Sequence, residues 1–214
     1  MVSQLLFECL SEEIPARMHK LAMVQFKNYI TGAFYKNNIE FTLIEVFVTA
    51  RRITIFVDGI NALKLKNANN EIKGPNVNAG ENALEGFLRK NKKCKEDLFL
   101  RKINNEKFYF IKKDNCSFNI KEIFKDQLEE MLRNFSWPKS MRWGDRKERW
   151  VRPIGSILCI FKGSVIPVSF VGVTASNVTY GNRFLSQNKS VTIEAPKDYF
   201  EFLKKNNVIL QKNK

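Results

Sequence analysis

The sequence predicts an α+β fold in which mixed, largely antiparallel sheets pack against amphipathic helices. Three observations lead there. The chain begins strand, helix, strand, strand; short runs rich in β-branched and aromatic residues flank turn-prone residues; and longer segments repeat apolar residues at three- and four-residue steps. With 214 residues, 44% hydrophobic and 12% aromatic, the chain is one large domain or two small ones with material for a genuine core, and disorder is excluded as its dominant state.

Residues 2–10, VSQLLFECL, are apolar and of strand length, and they run into SEEIP, where Pro15 suits a first helical turn. A helix follows over 15–35, with Met18, Leu21, Ala22, Phe26, Ile30 and Ala33 on its core-facing stripe. His19, Lys20 and Lys27 fall off that stripe, which makes His19 a surface residue. After the polar break KNNIE, FTLIEVFVTA and RRITIFVDGI read as two strands joined around residues 49–52. Residues 64–80, crowded with lysine and asparagine and punctuated by Gly-Pro, read as a loop.

A second helix is expected over 81–92 with Leu84, Phe87 and Leu88 on one side, then a hairpin of strands 98–103 and 107–112 around NNE. The spacing of Ile123, Phe124, Leu128, Met131 and Leu132 predicts a third helix over 120–135. Residues 137–153, WPKSMRWGDRKERWVRP, differ in kind: they hold all three tryptophans and four of the eleven arginines. SILCIFKGSVIPVSFVGV then reads as strand, Lys-Gly turn and strand, followed by a looser segment ending in TYGNRFLS and a short helix over 197–206. The terminal VILQKNK has no capping element, so a continuation stays open. The organisation expected is an amino-terminal α/β portion, 1–135, and a portion 136–214 holding the Arg/Trp segment and further strands, the two being one continuous region.

A formal charge of +14 suits a polyanionic partner. Yet 25 of the 36 basic residues are lysines amid abundant Asn, Ile and Phe, the pattern of AT-rich codons, so part of this charge is compositional drift. The arginines are the better guide to where anions are held. No run of about 18 uncharged apolar residues occurs, and Glu8, Glu12 and Glu13 interrupt the amino terminus before a cleavable signal could form. The expectation is a cytoplasmic chain that neither spans a membrane nor is exported. Cys9, Cys94, Cys116 and Cys159 are scattered singly and read as free thiols, with no zinc spacing.

One histidine, and no phosphate-loop, GxGxxG or HExxH motif, leave little support for an independent active site or a metal centre. Glu12 and Glu13 could work as an acid–base pair, but adjacent carboxylates near a helix start are more simply stabilised by the helix dipole, and Glu129 and Glu130 read as a solvated helix face. Arg51 and Arg52 could clamp phosphate or form salt bridges within the fold; on a strand they point to opposite faces, so at most one reaches a ligand. Arg142, Trp143, Arg146, Arg149, Trp150 and Arg152 alternate guanidinium with indole. Such interleaving suits phosphate contact with stacking on unpaired bases, and equally suits tryptophan anchors with arginines capping carbonyls.

The series SEEIPAR, TARRITIFVDGI, EIKGPNVNA, ALEGFLRKNK, WPKSMRWG, WVRP and VIPVSFVGVTASNVTYGNRF resembles, in order and separation, the amino-terminal part of the beta subunit of bacterial two-subunit glycyl-tRNA synthetase. The resemblance implies an α2β2 ligase joining glycine to tRNA-Gly with ATP and Mg²⁺. It places the adenylate-forming site, ATP and Mg²⁺ in the alpha subunit, and tRNA binding in the beta subunit, with neither a catalytic residue nor a cofactor here. It also implies a fold like the editing domain of the phenylalanyl enzyme's large subunit, without hydrolytic activity. The tRNA-contact candidates are then Arg51, Arg52, Lys73, Arg142, Trp143, Arg146, Arg149, Arg152 and Arg183. Three departures stand out: Asn182 where the family usually has histidine before Arg183 and Phe184, Lys73 where arginine is common, and a length far short of a complete beta subunit. A free-standing RNA-binding module and a purely structural assembly piece remain the alternatives.

Overall fold

The computed structural model describes residues 3–61, 71–91, 93–103, 106–112, 119–187 and 189–210. Its elements in chain order are β1 (Leu5–Ser11), α1 (Ala16–Lys36), β2 (Leu43–Val48), β3 (Arg52–Asp58), β4 (Glu71–Asn76), α2 (Glu81–Asn91), β5 (Leu98–Ile103), β6 (Glu106–Lys112), α3 (Ile120–Asn134), β7 (Ile154–Phe161), β8 (Ser164–Val165), β9 (Ser169–Phe170), β10 (Val173–Thr174), β11 (Val178–Tyr180), β12 (Ser190–Thr192) and α4 (Pro196–Lys205). The architecture is α+β, and every ladder between these strands is antiparallel. Two compact units divide it: unit 1, Met1–Asn61 with Asn119–Lys214, and unit 2, Ala62–Phe118. The sequence division at 135/136 falls within unit 1, where β1 of the first portion pairs with β7 of the second.

Unit 1 is built on a five-stranded sheet of order β2-β3-β1-β7-β8. All seven residues of the central strand β1 are buried, because the sheet is covered on both faces. Leu5, Phe7 and Cys9 share one face with Ile55 and Cys159. Helices α1 and α3 lie on that side, with the Phe124 ring 5.0 Å from Phe161 and 5.4 Å from Phe34. The buried stripe of α1 is Met18, Ala22, Phe26, Ile30, Ala33 and Phe34; Leu21, expected on it, is exposed. His19 is half-buried rather than free on the surface, its Nε2 2.9 Å from the Ile14 carbonyl to which it donates. Lys162 and Gly163, both at positive φ (51° and 73°), form the expected tight turn between β7 and β8.

The opposite face carries Leu6, Leu158 and Ile160, which cluster with Ile193, Tyr199 and Leu203 as α4 docks. Fully burying such a side chain contributes roughly 1.5–3 kcal/mol, so apolar contact supplies the force that holds α4. Among these side chains sits an ion pair. Glu8 is 0% and Arg52 4% exposed, and Arg52 Nη1 lies 2.7 Å from Glu8 Oε2. The carboxylate also accepts from Thr179 Oγ1 and Tyr199 OH, each at 2.7 Å, and the Tyr199 hydroxyl in turn accepts from Thr54 Oγ1 at 2.7 Å. Arg52 Nη2 donates to the Tyr180 carbonyl and, at 3.3 Å, to that of Gly181. One buried guanidinium thus joins β1, β3 and the end of β11.

In unit 2 the order is β4-β6-β5, with α2 contributing Leu84 and Leu88 to a small core around Ile111. Strand β4 corrects the loop expected over 64–80. Its Gly-Pro pair is tolerated because β4 is an edge strand whose register with β6 shifts between Lys73 and Asn76. Residues 64–70 of that loop, the hairpin turn at 104–105, Lys92 at the end of the second helix, Cys116 and the terminal 211–214 lie outside the described residues.

Two outcomes are expected. Arg52→Ala leaves Glu8 buried and unpaired, lowering stability by about 3–5 kcal/mol in urea denaturation; a Glu8→Leu/Arg52→Leu double variant loses less than Arg52→Ala alone, and additive losses would contradict the pairing. Burial, then the Glu8 charge, push the Tyr199 phenol well above its ordinary 10.0, and burial likewise raises Cys9 and Cys159 above 9.0. The unfolded chain releases these protons first, so stability falls as pH rises above about 9, more steeply beyond 10. Tyr199→Phe removes about one proton from that slope above pH 10, about 1.4 kcal/mol per pH unit, measurable by denaturation between pH 7 and 11.

Candidate functional site

Residues 141–150 form a closed loop. Met141 N donates to the Trp150 carbonyl at 2.8 Å and Trp150 N to that of Met141 at 3.1 Å. The loop is fastened from inside by aromatic packing: Trp150 is fully buried and Trp137 nearly so. The Trp137 and Trp150 rings are edge-on at 5.3 Å, Phe170 is 5.2 Å from Trp150, and Phe26 stacks on Phe135 at 4.0 Å. Two of the three tryptophans are therefore anchors, while Trp143 is half-buried within the loop.

The arginines face outward on this base. Arg149 clasps the loop's start, Nε donating to Ser140 Oγ at 3.0 Å and Nη2 to the Ser140 carbonyl at 2.9 Å. The Arg146 guanidinium lies over Gly172, where a Cβ would collide with it. Half-buried Arg152 donates from Nη1 to the Val151 carbonyl at 2.8 Å. Arg142 is exposed and has no hydrogen-bond or ion-pair partner among the described residues, so its planar fork keeps full donor capacity. Asp145 and Glu148 are the only carboxylates among residues 142–149, and neither pairs with these arginines among the described residues.

A second basic feature gathers at the end of β1. Arg51 Nη2 and Arg183 Nη1 approach the two oxygens of Glu12 at 3.6 and 3.4 Å, and Arg51 Nε lies 3.8 Å from Glu13 Oε1. The acidic pair thus answers the arginines; it precedes α1, whose first turn holds no acid. The backbone draws three segments together here: Ser11 N donates to the Arg51 carbonyl at 2.8 Å, and Glu12 N to that of Pro153, next to Arg152, at 3.0 Å. Arg51, Arg183 and Phe184 border a cleft of about 230 Å³. A larger groove of about 640 Å³ beside α4 is mainly apolar, lined by Phe200, Leu203, Val208 and Ile209 among others.

Of the candidates, Arg51, Arg152 and Arg183 are brought around residues 11–13, and Arg142, Trp143, Arg146 and Arg149 share the 141–150 loop. Arg52 is a correction to the expectation of ligand contact: it points inward and its guanidinium is committed to Glu8, Thr179 and two carbonyls. Lys73 belongs to unit 2, where its Nζ sits 3.6 Å from the Phe108 ring centroid. Glu129, expected on a solvated face, instead joins α3 to β9 by accepting from Ser169 N at 2.9 Å and pairs with Arg133 at 2.9 Å. Sequence reasoning missed Glu8 and Thr179 as partners of Arg52, and Tyr199 as a further donor to Glu8. A lone carboxylate amid the apolar VSQLLFECL is itself a sign of a buried counter-charge; Thr179 and Tyr199 carry no comparable signal. Among the described residues no group of three or more His, Cys, Asp or Glu could hold a metal ion.

A family model described as glycyl-tRNA synthetase beta subunit matches residues 5–214. The glycine--tRNA ligase beta subunit of Rickettsia canadensis (strain McKiel) is 42% identical over 213 residues, covering 100% of this chain and 32% of that protein. Those of Rickettsia felis and Rickettsia akari are 40% and 41% identical, with the same coverage. The chain spans about a third of the length of these curated relatives.

Anchors and outward groups separate by stability. Trp150→Ala removes the centre of the aromatic base and costs about 3–5 kcal/mol, whereas Arg142→Ala stays within about 0.5 kcal/mol of the parent. Chemical denaturation of the two variants checks both; an equally large loss for Arg142→Ala would make that side chain structural.

Proposed function

This chain belongs to the glycyl-tRNA synthetase beta subunit family, and from that footing we propose that it is part of a glycine--tRNA ligase, forming glycyl-tRNA, AMP and diphosphate from ATP, glycine and tRNA-Gly for protein synthesis. Its share of that work is RNA-backbone contact and scaffold. The alpha subunit of an α2β2 assembly forms the adenylate and uses the ATP and Mg²⁺, and the complex works in the cytoplasm. The proposal extends to the fold, which we liken to the editing domain of the phenylalanyl enzyme's large subunit, with no hydrolytic role.

The observation that carries the RNA reading is the division of labour in the Arg/Trp segment. Trp137 and Trp150 are buried, while Arg142, Arg146 and Arg149 stand exposed on the loop that they fasten. A loop held on a rigid base keeps guanidinium forks in place for phosphate oxygens, and charge-assisted bonds to phosphate position an RNA without reading its sequence. Arg51, Arg152 and Arg183, gathered around residues 11–13, extend the same chemistry.

The test is tRNA-Gly binding by the full chain, with and without the cognate alpha subunit, at two salt concentrations. Affinity is expected to fall steeply with salt, and Arg142→Ala to weaken binding while reducing the salt slope by about 1. Salt-independent binding, or an Arg142→Ala chain indistinguishable from the parent, would contradict the assignment.

A further inference from the structure

We propose that the cleft bordered by Arg51, Arg183 and Phe184 takes one unpaired nucleotide of RNA, the base stacking on Phe184 and the phosphate displacing the Glu12 carboxylate from the two guanidinia. The inference rests on the RNA-contact reading above and specifies what one part of that surface holds.

The first support is how the turn is held. Asn182 Oδ1 accepts from Phe184 N at 2.9 Å and Leu185 N at 3.0 Å, so this side chain caps the 182–187 turn. The turn is tied to the end of α4: Asn182 N and Ser186 Oγ both donate to the Asn206 carbonyl, at 3.0 and 2.7 Å. Gly181 permits that closeness, since a Cβ there would lie 2.8 Å from Asn206 Cβ. The preceding carbonyls of Tyr180 and Gly181 are gripped by buried Arg52. A turn constrained at both ends nevertheless leaves Phe184 83% exposed, its ring packed against no other ring among the described residues.

The second support is the chemistry beside the ring. Arg51 and Arg183 hold Glu12 at 3.6 and 3.4 Å, longer than the roughly 2.7–2.9 Å of a tight charge-assisted bond. Ion pairs at this exposure are weak, so a phosphate can compete for both forks. An aromatic face next to arginines is the arrangement that binds single strands, because every unpaired base offers a π-face and every linkage a phosphate. A base inside a duplex has both faces covered and gains nothing from Phe184. The guanidinium pair favours this polyanionic occupant over an apolar protein segment.

Fluorescence anisotropy of the full chain with a labelled 12-nucleotide RNA, single-stranded or in duplex, tests this at two salt concentrations. Phe184→Ala is expected to weaken single-strand binding about tenfold and leave duplex binding as in the parent. Glu12→Gln, which removes the competing charge while keeping the shape, is expected to tighten binding on the order of threefold. Thermal melting verifies that both variants fold. If the parent binds RNA but neither variant alters single-strand affinity, the site is overturned while the wider RNA reading stands; if the parent binds neither RNA, both fall. Unchanged RNA affinity with altered self-association in Phe184→Ala would also overturn it, assigning the ring to a protein contact.

Discussion

The buried Glu8–Arg52 pair is the constraint on which the rest of unit 1 depends. Removing two charges from water is costly, and their attraction in the interior roughly offsets that cost only when the remaining donors and acceptors are satisfied. Thr179 and Tyr199 complete the carboxylate, and the Tyr180 and Gly181 carbonyls complete the guanidinium. The apolar contacts of α4 with the sheet supply the favourable energy, while the polar network ties β11 and α4 to β1 and β3. Because Arg52 points inward, strand alternation turns Arg51 outward toward Glu12. The carbonyls that Arg52 holds lead directly into Asn182, Arg183 and Phe184. A structural arginine thereby positions two surface ones.

Much of this was legible in the sequence, for reasons that differ by element. The α1 and α3 stripes were readable because burial on one side of a helix leaves a 3.6-residue period, and β1 and β7 because strands covered on both faces are continuously apolar. The β7–β8 turn was readable because Lys-Gly accommodates positive φ. Strand β4 was not: EIKGPN has the composition of a loop, and only pairing with β6 at a sheet edge makes it a strand. Leu21 fell on the wrong side because the stripe of α1 continues through Phe34 instead.

The site was legible by residue type but not by geometry. That the arginines matter more than the lysines could be argued from composition, yet the Arg51–Arg52 doublet divides into a surface group and a core group only once Glu8 is seen to be buried beside β3. The Arg/Trp segment divides likewise: Trp137 and Trp150 are buried anchors and Arg149 and Arg152 bond carbonyls, while Arg142 stays exposed. Tertiary partners such as Thr179 and Tyr199 lie 171 and 191 residues from Glu8, a separation at which no local pattern connects them.

The proposed RNA contact joins segments 142–149 and 182–187, where arginines stand on loops whose bases are fixed by buried aromatic and ionic contacts. The most direct test is photo-cross-linking of 4-thiouridine-substituted tRNA-Gly to the full chain, with adducts mapped by mass spectrometry. Adducts concentrated in 142–149 and 182–187 are the predicted result. Adducts confined to other parts of the chain, with both segments unmodified, would contradict the account.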